Sequence, residues 1–330
     1  MGHRTNLIII ENGEKKVYYD HWIAINLDRT LFWDFTFVLE YIKAQERVGD
    51  EMWLDELFAE GGAVVDVDKK YLLWFACGDV GRFVPYRRKF LELQRKIWEG
   101  WEVEWASRGV VDMAEYVGYP KENVLNDFRW DEENRRLKMP KAKRDIDGIG
   151  SWIDRSGDTK LYPYNWHHAK DYLELGAEIF EIMRNAKSFS ELNLAKWRCE
   201  FPKCGFVIDD KKRLIEFWEV APCADTVNRL KAIWDDWEIV WHQDNYEFQL
   251  NKLNGKLVFP KTSERKILQE IEERLLVPKT ANPLNLVIGL MNALDKEGFD
   301  VKSGGGTFMS NLVEFPLEKR LEMWKEITKS

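Results

Sequence analysis

Hydrophobic and polar positions along this chain switch between two periods, and the same switch occurs twice. Residues 63–75 read AVVDVDKKYLLWF and residues 206–217 read FVIDDKKRLIEF. In each, aliphatic and β-branched residues flank a turn rich in Asp and Lys, the pattern of a β-hairpin. The two stretches align as Val64/Val207, Val65/Ile208 and Asp66/Asp209. With one residue skipped, they continue as Asp68/Asp210, Lys69/Lys211, Lys70/Lys212, Leu72/Leu214, Leu73/Ile215 and Phe75/Phe217.

A helix is expected after each hairpin. In the first copy Pro85 stands near its start, and Tyr86, Phe90, Leu93 and Ile97 recur at three-to-four spacing. In the second copy Pro222 precedes Val227, Leu230 and Trp234. Each helix then runs into a tryptophan motif, IWEGWEVEWA at 97–106 and IWDDWEIVWH at 233–242, whose last residues alternate with the period of a strand.

Two motifs in the same order at nearly the same separation indicate an internal repeat of about 140 residues, each copy β-β-α-β. The expected fold class is therefore α+β: internally duplicated β-β-α-β units forming antiparallel or mixed sheets, with helices packed on one face. The N-terminal run NLIIIENGEKKVYYDHW resembles a further, diverged hairpin, with Asn12-Gly13 as a type I′ turn. Polar, Pro- and Gly-punctuated sequence at 119–158 reads as a linker or insertion. It divides an N-terminal unit, 1–118, from a C-terminal unit, 159–330, that carries the second repeat copy and the terminal helices. In the latter, residues 164–186 read as one helix. Asn282 caps another, with Leu284, Val287, Ile288, Met291 and Leu294 expected to face inward. The last helix begins near Pro316 with the stripe Leu317, Leu321 and Trp324.

Composition narrows the function classes. The 330 residues carry 49 Lys+Arg against 57 Asp+Glu, a formal net charge of −8, and no basic cluster defines a face, so nucleic acid is not the expected partner. No apolar run reaches the ~18–20 residues that a bilayer demands, and no signal pattern opens the chain. The expected location is the cytoplasm, without membrane insertion. Four cysteines are too few for a disulfide framework and read as buried free thiols.

Candidate chemistry is sparse. The densest polar-aromatic cluster is YYDHW at 18–22, where Tyr18, Asp20 and His21, with Arg4 from the neighbouring strand, are the candidate acid–base residues. Asp20 and His21 point to opposite faces of a regular strand, so they form no simple dyad. His167 and His168 are adjacent, whereas a metal pair prefers three-to-four spacing, and no metal or cofactor is expected. The acids of the hairpin turns are explained by turn chemistry. SGGGTF at 303–308 lacks the ending of a phosphate loop.

Sixteen tryptophans exceed what one core normally uses. The repeated ones fit a strand face packed beneath a helix. Trp22, Trp33, Trp53, Trp130, Trp152 and Trp166 lie outside the repeat beside polar residues, so some exposed tryptophan surface is expected. The binding candidates are Trp22, Trp101, Trp237 and Trp166. These features favour a non-catalytic recognition protein of the inhibitor or immunity type, whose acidic, Trp-rich surface covers a protein partner. The competing class is an enzyme or small-ligand-binding protein with its site in the cleft between the two repeat units.

Overall fold

A computed structural model describes residues 2–126, 145–165, 167–197, 199–277, 283–299 and 313–329. Its chain clusters into two units. The first comprises 1–80, 85–126 and 264–330, the second 81–84 and 127–263.

In the first unit the elements are β1 (Thr5–Glu11), β2 (Glu14–Asp20), α1 (Leu27–Leu31), α2 (Phe35–Lys43), β3 (Glu46–Val48), β4 (Gly61–Asp66), β5 (Tyr71–Ala76), α3 (Val84–Ile97), β6 (Glu102–Trp105) and α4 (Val110–Tyr116). The second contains β7 (Gly148–Ile153), β8 (Thr159–Tyr164), α5 (Ala169–Leu173), α6 (Glu178–Asn185), β9 (Leu192–Asn193), β10 (Cys204–Asp209), β11 (Leu214–Glu219), α7 (Thr226–Ile233), β12 (Glu238–Trp241), α8 (Glu247–Lys252) and β13 (Leu257–Val258). Helices α9 (Glu264–Leu276), α10 (Pro283–Lys296) and α11 (Leu317–Thr328) follow and cluster with the first unit.

The fold is mixed α and β, with one sheet ordered β3-β2-β1-β4-β5-β6 and another β12-β11-β10-β7-β8. Read from opposite ends, and setting β3 aside, the two sheets share one topology. In each, two antiparallel hairpins are joined side by side through a parallel pair, β1 with β4 and β7 with β10. The last strand then adds in parallel, β6 to β5 and β12 to β11. Parallel neighbours demand a crossover, and the helices between hairpins and before the last strand supply it.

Register corrects the sequence alignment. Asp66 pairs with Tyr71 and Asp209 with Leu214, so both turns have the same length and no residue is skipped. Trp74, not Phe75, is the counterpart of Phe217, and Phe75 matches Trp218. Both turns are built alike: the carboxylate of Asp66 accepts from the amide of Lys69, that of Asp209 from Lys212, and Lys70 and Arg213 turn the chain at φ 53° and 52°. The N-terminal hairpin has its expected turn, with Asn12 and Gly13 both at positive φ. Asp68 clamps it by accepting from both amides at 2.8 Å, which holds its carboxyl below the usual range.

The helices do not lie on one face. All six residues of β4 and of β10 are buried, the mark of strands covered on both sides. In the second unit Phe206, Ile208, Ile215 and Phe217 pack with Tyr172, Leu173, Ile179, Leu230 and Trp234. The opposite face, with Ile149, Leu161 and Trp218, packs against Leu192, Leu194, Leu253 and Leu257. In the first unit Trp74 turns to α3, where its indole donates to Gln94 at 3.1 Å. On the other face Gly62 leaves room for Met113 of α4.

The expected linker at 119–158 also differs. It contains β7, an interior strand of the second sheet. The expected helix at 164–186 is two helices, parted at Gly176, which takes φ 59°. Of the residues expected to face inward from α10, Ile288 is exposed and Val287, Met291 and Leu294 are half-buried. Leu317 and Leu321 of α11 are also exposed, and its buried residues are Arg320 and Trp324. The glycine run 303–308 lies outside the described residues.

Candidate functional site

The YYDHW residues serve the fold. Asp20, at the end of β2, is fully buried. Its Oδ1 accepts from the amides of Trp22 and Ile23 at 2.7 and 2.9 Å, and its Oδ2 from the hydroxyl of Tyr41 at 3.0 Å. These bonds anchor the start of the crossover, and burial together with the Asp20 charge pushes the Tyr41 phenol well up. His21 is buried, with Nδ1 2.8 Å from the Tyr19 hydroxyl. Tyr18 is buried too. Arg4 stacks over Phe58 at 4.7 Å, and its amide donates to Glu60. The four candidates therefore share the first unit, where Asp20 is engaged by the backbone that follows β2.

Every described tryptophan is buried or half-buried, which corrects the expectation of exposed rings outside the repeat. Trp22, Trp33 and Trp152 are buried, and Trp53 stacks on Tyr119 at 4.5 Å. Trp130 and Trp166 lie outside the described residues.

The two remaining candidates, Trp101 and Trp237, occupy equivalent places between a helix and the strand that follows it. Trp101 meets Trp98 edge to face at 5.0 Å and lies 5.3 Å from Phe35, which is 39% exposed. Trp237 meets Trp234 edge to face at 5.0 Å and lies 6.1 Å from Phe180. Behind each corner the inner indole is tied to a crossover helix. Trp98 donates to the carbonyl of Leu31 at the end of α1, and Trp234 to that of Leu173 at the end of α5. The turn leading to each ring carries exposed acids, Glu99 before Trp101 and Asp235 and Asp236 before Trp237. Glu102 and Glu104 stand on the Tyr71 and Tyr116 side of β6, away from the Trp101 ring. Part of this charge is engaged, since Glu104 accepts from Tyr71 and Asp236 lies 3.5 Å from Arg213.

A second polar centre stands at the start of α5. Glu219 ends β11 opposite Cys204, and its side chain is 0% exposed. Its Oε1 forms an ion pair with Nδ1 of His168, whose side chain is 51% exposed, and neither of its oxygens accepts a hydrogen bond of ordinary geometry. Cys204, Cys223 and Tyr164 surround the carboxylate, and burial pushes all three well above their usual values. Glu219's charge raises His168. His168 is visible in the sequence as one of an adjacent histidine pair, unsuited to a metal and available to an enzyme or ligand site, whereas Glu219 carries no local signal because strand pairing alone brings these residues together.

Among the described residues no three His, Cys, Asp or Glu side chains converge as a metal site requires, and no helix is long and apolar enough to cross a membrane. Compared with models of known families, with curated proteins and with solved structures, the chain matches none of them.

Proposed function

We propose that this chain is a non-catalytic recognition protein that grips basic segments of a protein partner at two equivalent aromatic corners. The observation that carries the reading is the repetition of a half-buried tryptophan, an edge-on tryptophan behind it, a neighbouring phenylalanine and exposed acids in the turn that leads to it. A tryptophan face attracts Lys or Arg by about 0.5–2 kcal/mol, and flanking carboxylates add charge-assisted hydrogen bonds. The net charge of −8 steers basic partners toward the same surface. Shared sheet topology and matching turns favour descent of both units from one duplicated ancestor, so both corners inherit one design. The cytoplasm remains the expected location. The ligand-site alternative at Arg4, Tyr18, Asp20 and His21 gains nothing from their geometry, because the Asp20 carboxylate is taken up by the backbone of the crossover.

The test is affinity capture with the full chain, comparing the natural protein with Trp101→Ala, Trp237→Ala and the double variant. The expected result is a basic protein retained by the natural chain, weakened about tenfold or more by each single change and lost in the double. Retention by a folded double variant overturns the reading.

A further inference from the structure

We propose that the Trp237 corner is proton-linked, its geometry set by the state of the His168–Glu219 pair through α5, whereas the Trp101 corner is not; this rests on the recognition reading above. Helix α5 is short. One end of this five-residue helix is capped by His168, which is held to Glu219. At the other end the carbonyl of Leu173 accepts the indole N–H of Trp234 at 2.7 Å, and Trp234 packs edge-on against Trp237. A change at the capping histidine thus lies one helix away from the recognition ring.

Glu219 has few means of compensation. Cys204 on β10, Tyr164 on β8 and Cys223 beyond β11 stay neutral, and Tyr172 on α5 is likewise pushed up by burial. Other charged groups nearby are turned elsewhere. Arg229 on α7 bonds Glu174, Lys203 bonds Asp147, and Asp171 accepts from the amide of His168 and lies 3.9 Å from Nδ1 of His167. Lys170 opposes the protonation of His168, with Glu219 the stronger influence. The imidazolium is the cation in contact with this buried carboxylate among the described residues. With His168 raised, the pair is fully formed below the ordinary histidine value of about 6.5 and is lost as pH rises through the higher folded value. Above that value a buried charge loses its counterion and α5 its fastening.

In the first unit the same strut is fastened by a guanidinium instead of an imidazole. Asp28 of α1 takes two bonds from Arg274, each 2.8 Å, and a guanidinium keeps its charge. Leu31 at the far end of α1 accepts from both Trp98 and Gln94.

The experiment is fluorine NMR of the full chain labelled with 5-fluorotryptophan, from pH 5.5 to 9, with Trp98, Trp101, Trp234 and Trp237 assigned by single Trp→Phe changes. Trp234 and Trp237 are expected to titrate together with the His168 ring proton, while Trp98 and Trp101 stay flat. Glu219→Gln should lower the midpoint, because it removes the charge that raises His168. His168→Lys should hold Trp237 at its low-pH position throughout, which keeps the test decisive should Glu219→Gln not fold. A flat Trp237 signal across the His168 titration overturns the proposal, as does a midpoint unmoved in folded Glu219→Gln. No partner enters this measurement, so loss of the recognition reading and loss of the coupling are separate results.

Discussion

The two sheets share a strand order but are fastened differently. In the first unit the crossover helix is clamped from outside, by Arg274 of α9 on buried Asp28, with Phe315 stacked on Trp33 nearby. In the second the clamp is internal. Gln249 of α8 is fully buried and holds the indole of Trp218, the carbonyls of Ile149 and Phe206, and the hydroxyl of Ser151. One topology thus tolerates two routes to rigidity, one borrowed from appended helices and the other placed within the sheet's own layer. The distinction matters for function because the Trp101 corner leans on the helix that Arg274 clamps, whereas the Trp237 corner leans on α5, which packs on the sheet face opposite Gln249.

The largest expected effect follows from Arg274→Ala. It strands the Asp28 carboxylate, which is 1% exposed, and should cost about 4 kcal/mol, read as faster hydrogen exchange in β4 and β5 with β10 and β11 little changed. Gln249→Ala should do the reverse, destabilising β10 and β11 by about 3 kcal/mol through unsatisfied polar groups. Equal losses in both sheets from either change would mean that the units unfold as one.

Equivalent glycines offer a finer contrast. A Cβ on Gly205 would stand 2.2 Å from Oε1 of Gln249 and 2.6 Å from the indole nitrogen of Trp218, two groups bonded to each other. On Gly62 it would meet the sulfur of Met113 at 2.4 Å, the movable part of a flexible side chain. Gly205→Ala should cost about 2 kcal/mol in denaturant unfolding and Gly62→Ala about half that. The smallest effect is in pH dependence. Because His168 is raised, its contribution should fall away as pH rises through its folded value, loosening β10 and β11 but not β4 and β5. Hydrogen exchange corrected for intrinsic rates measures it, and Glu219→Gln should remove the difference.

Much of this architecture was written locally. The Asp/Lys turns, the Asn12-Gly13 turn, the stripe of α3 and the doubled tryptophan motif each arise from neighbouring residues. What escaped was decided at a distance. GIGSWI of β7 resembles loop sequence, yet its glycines are packing positions: a Cβ on Gly148 would stand 2.4 Å from the Tyr164 ring, and one on Gly150 2.5 Å from that of Phe206. The skipped residue in the alignment came from matching letters, which register overruled. Trp101 and Trp237 stood out as a repeated pair. Their partners Phe35 and Phe180 did not, because each comes from a crossover helix far along the chain. Glu219 has Ala76 as its counterpart, so the repeat itself gave no hint of a buried acid there.

The ends of the sheets carry a consequence for solubility. A sheet of half a dozen strands offers two unpaired backbones to any neighbouring chain, and polymerisation begins at such borders. Here the first sheet closes one border with three-residue β3 and leaves four-residue β6 at the other. The second sheet ends in β12, also four residues, and in β8, where Pro163 removes an amide donor and the Leu161 backbone is paired in both directions with Phe189. Short strands at three borders, and a proline and a single bridge at the fourth, leave little unpaired backbone for another chain to extend.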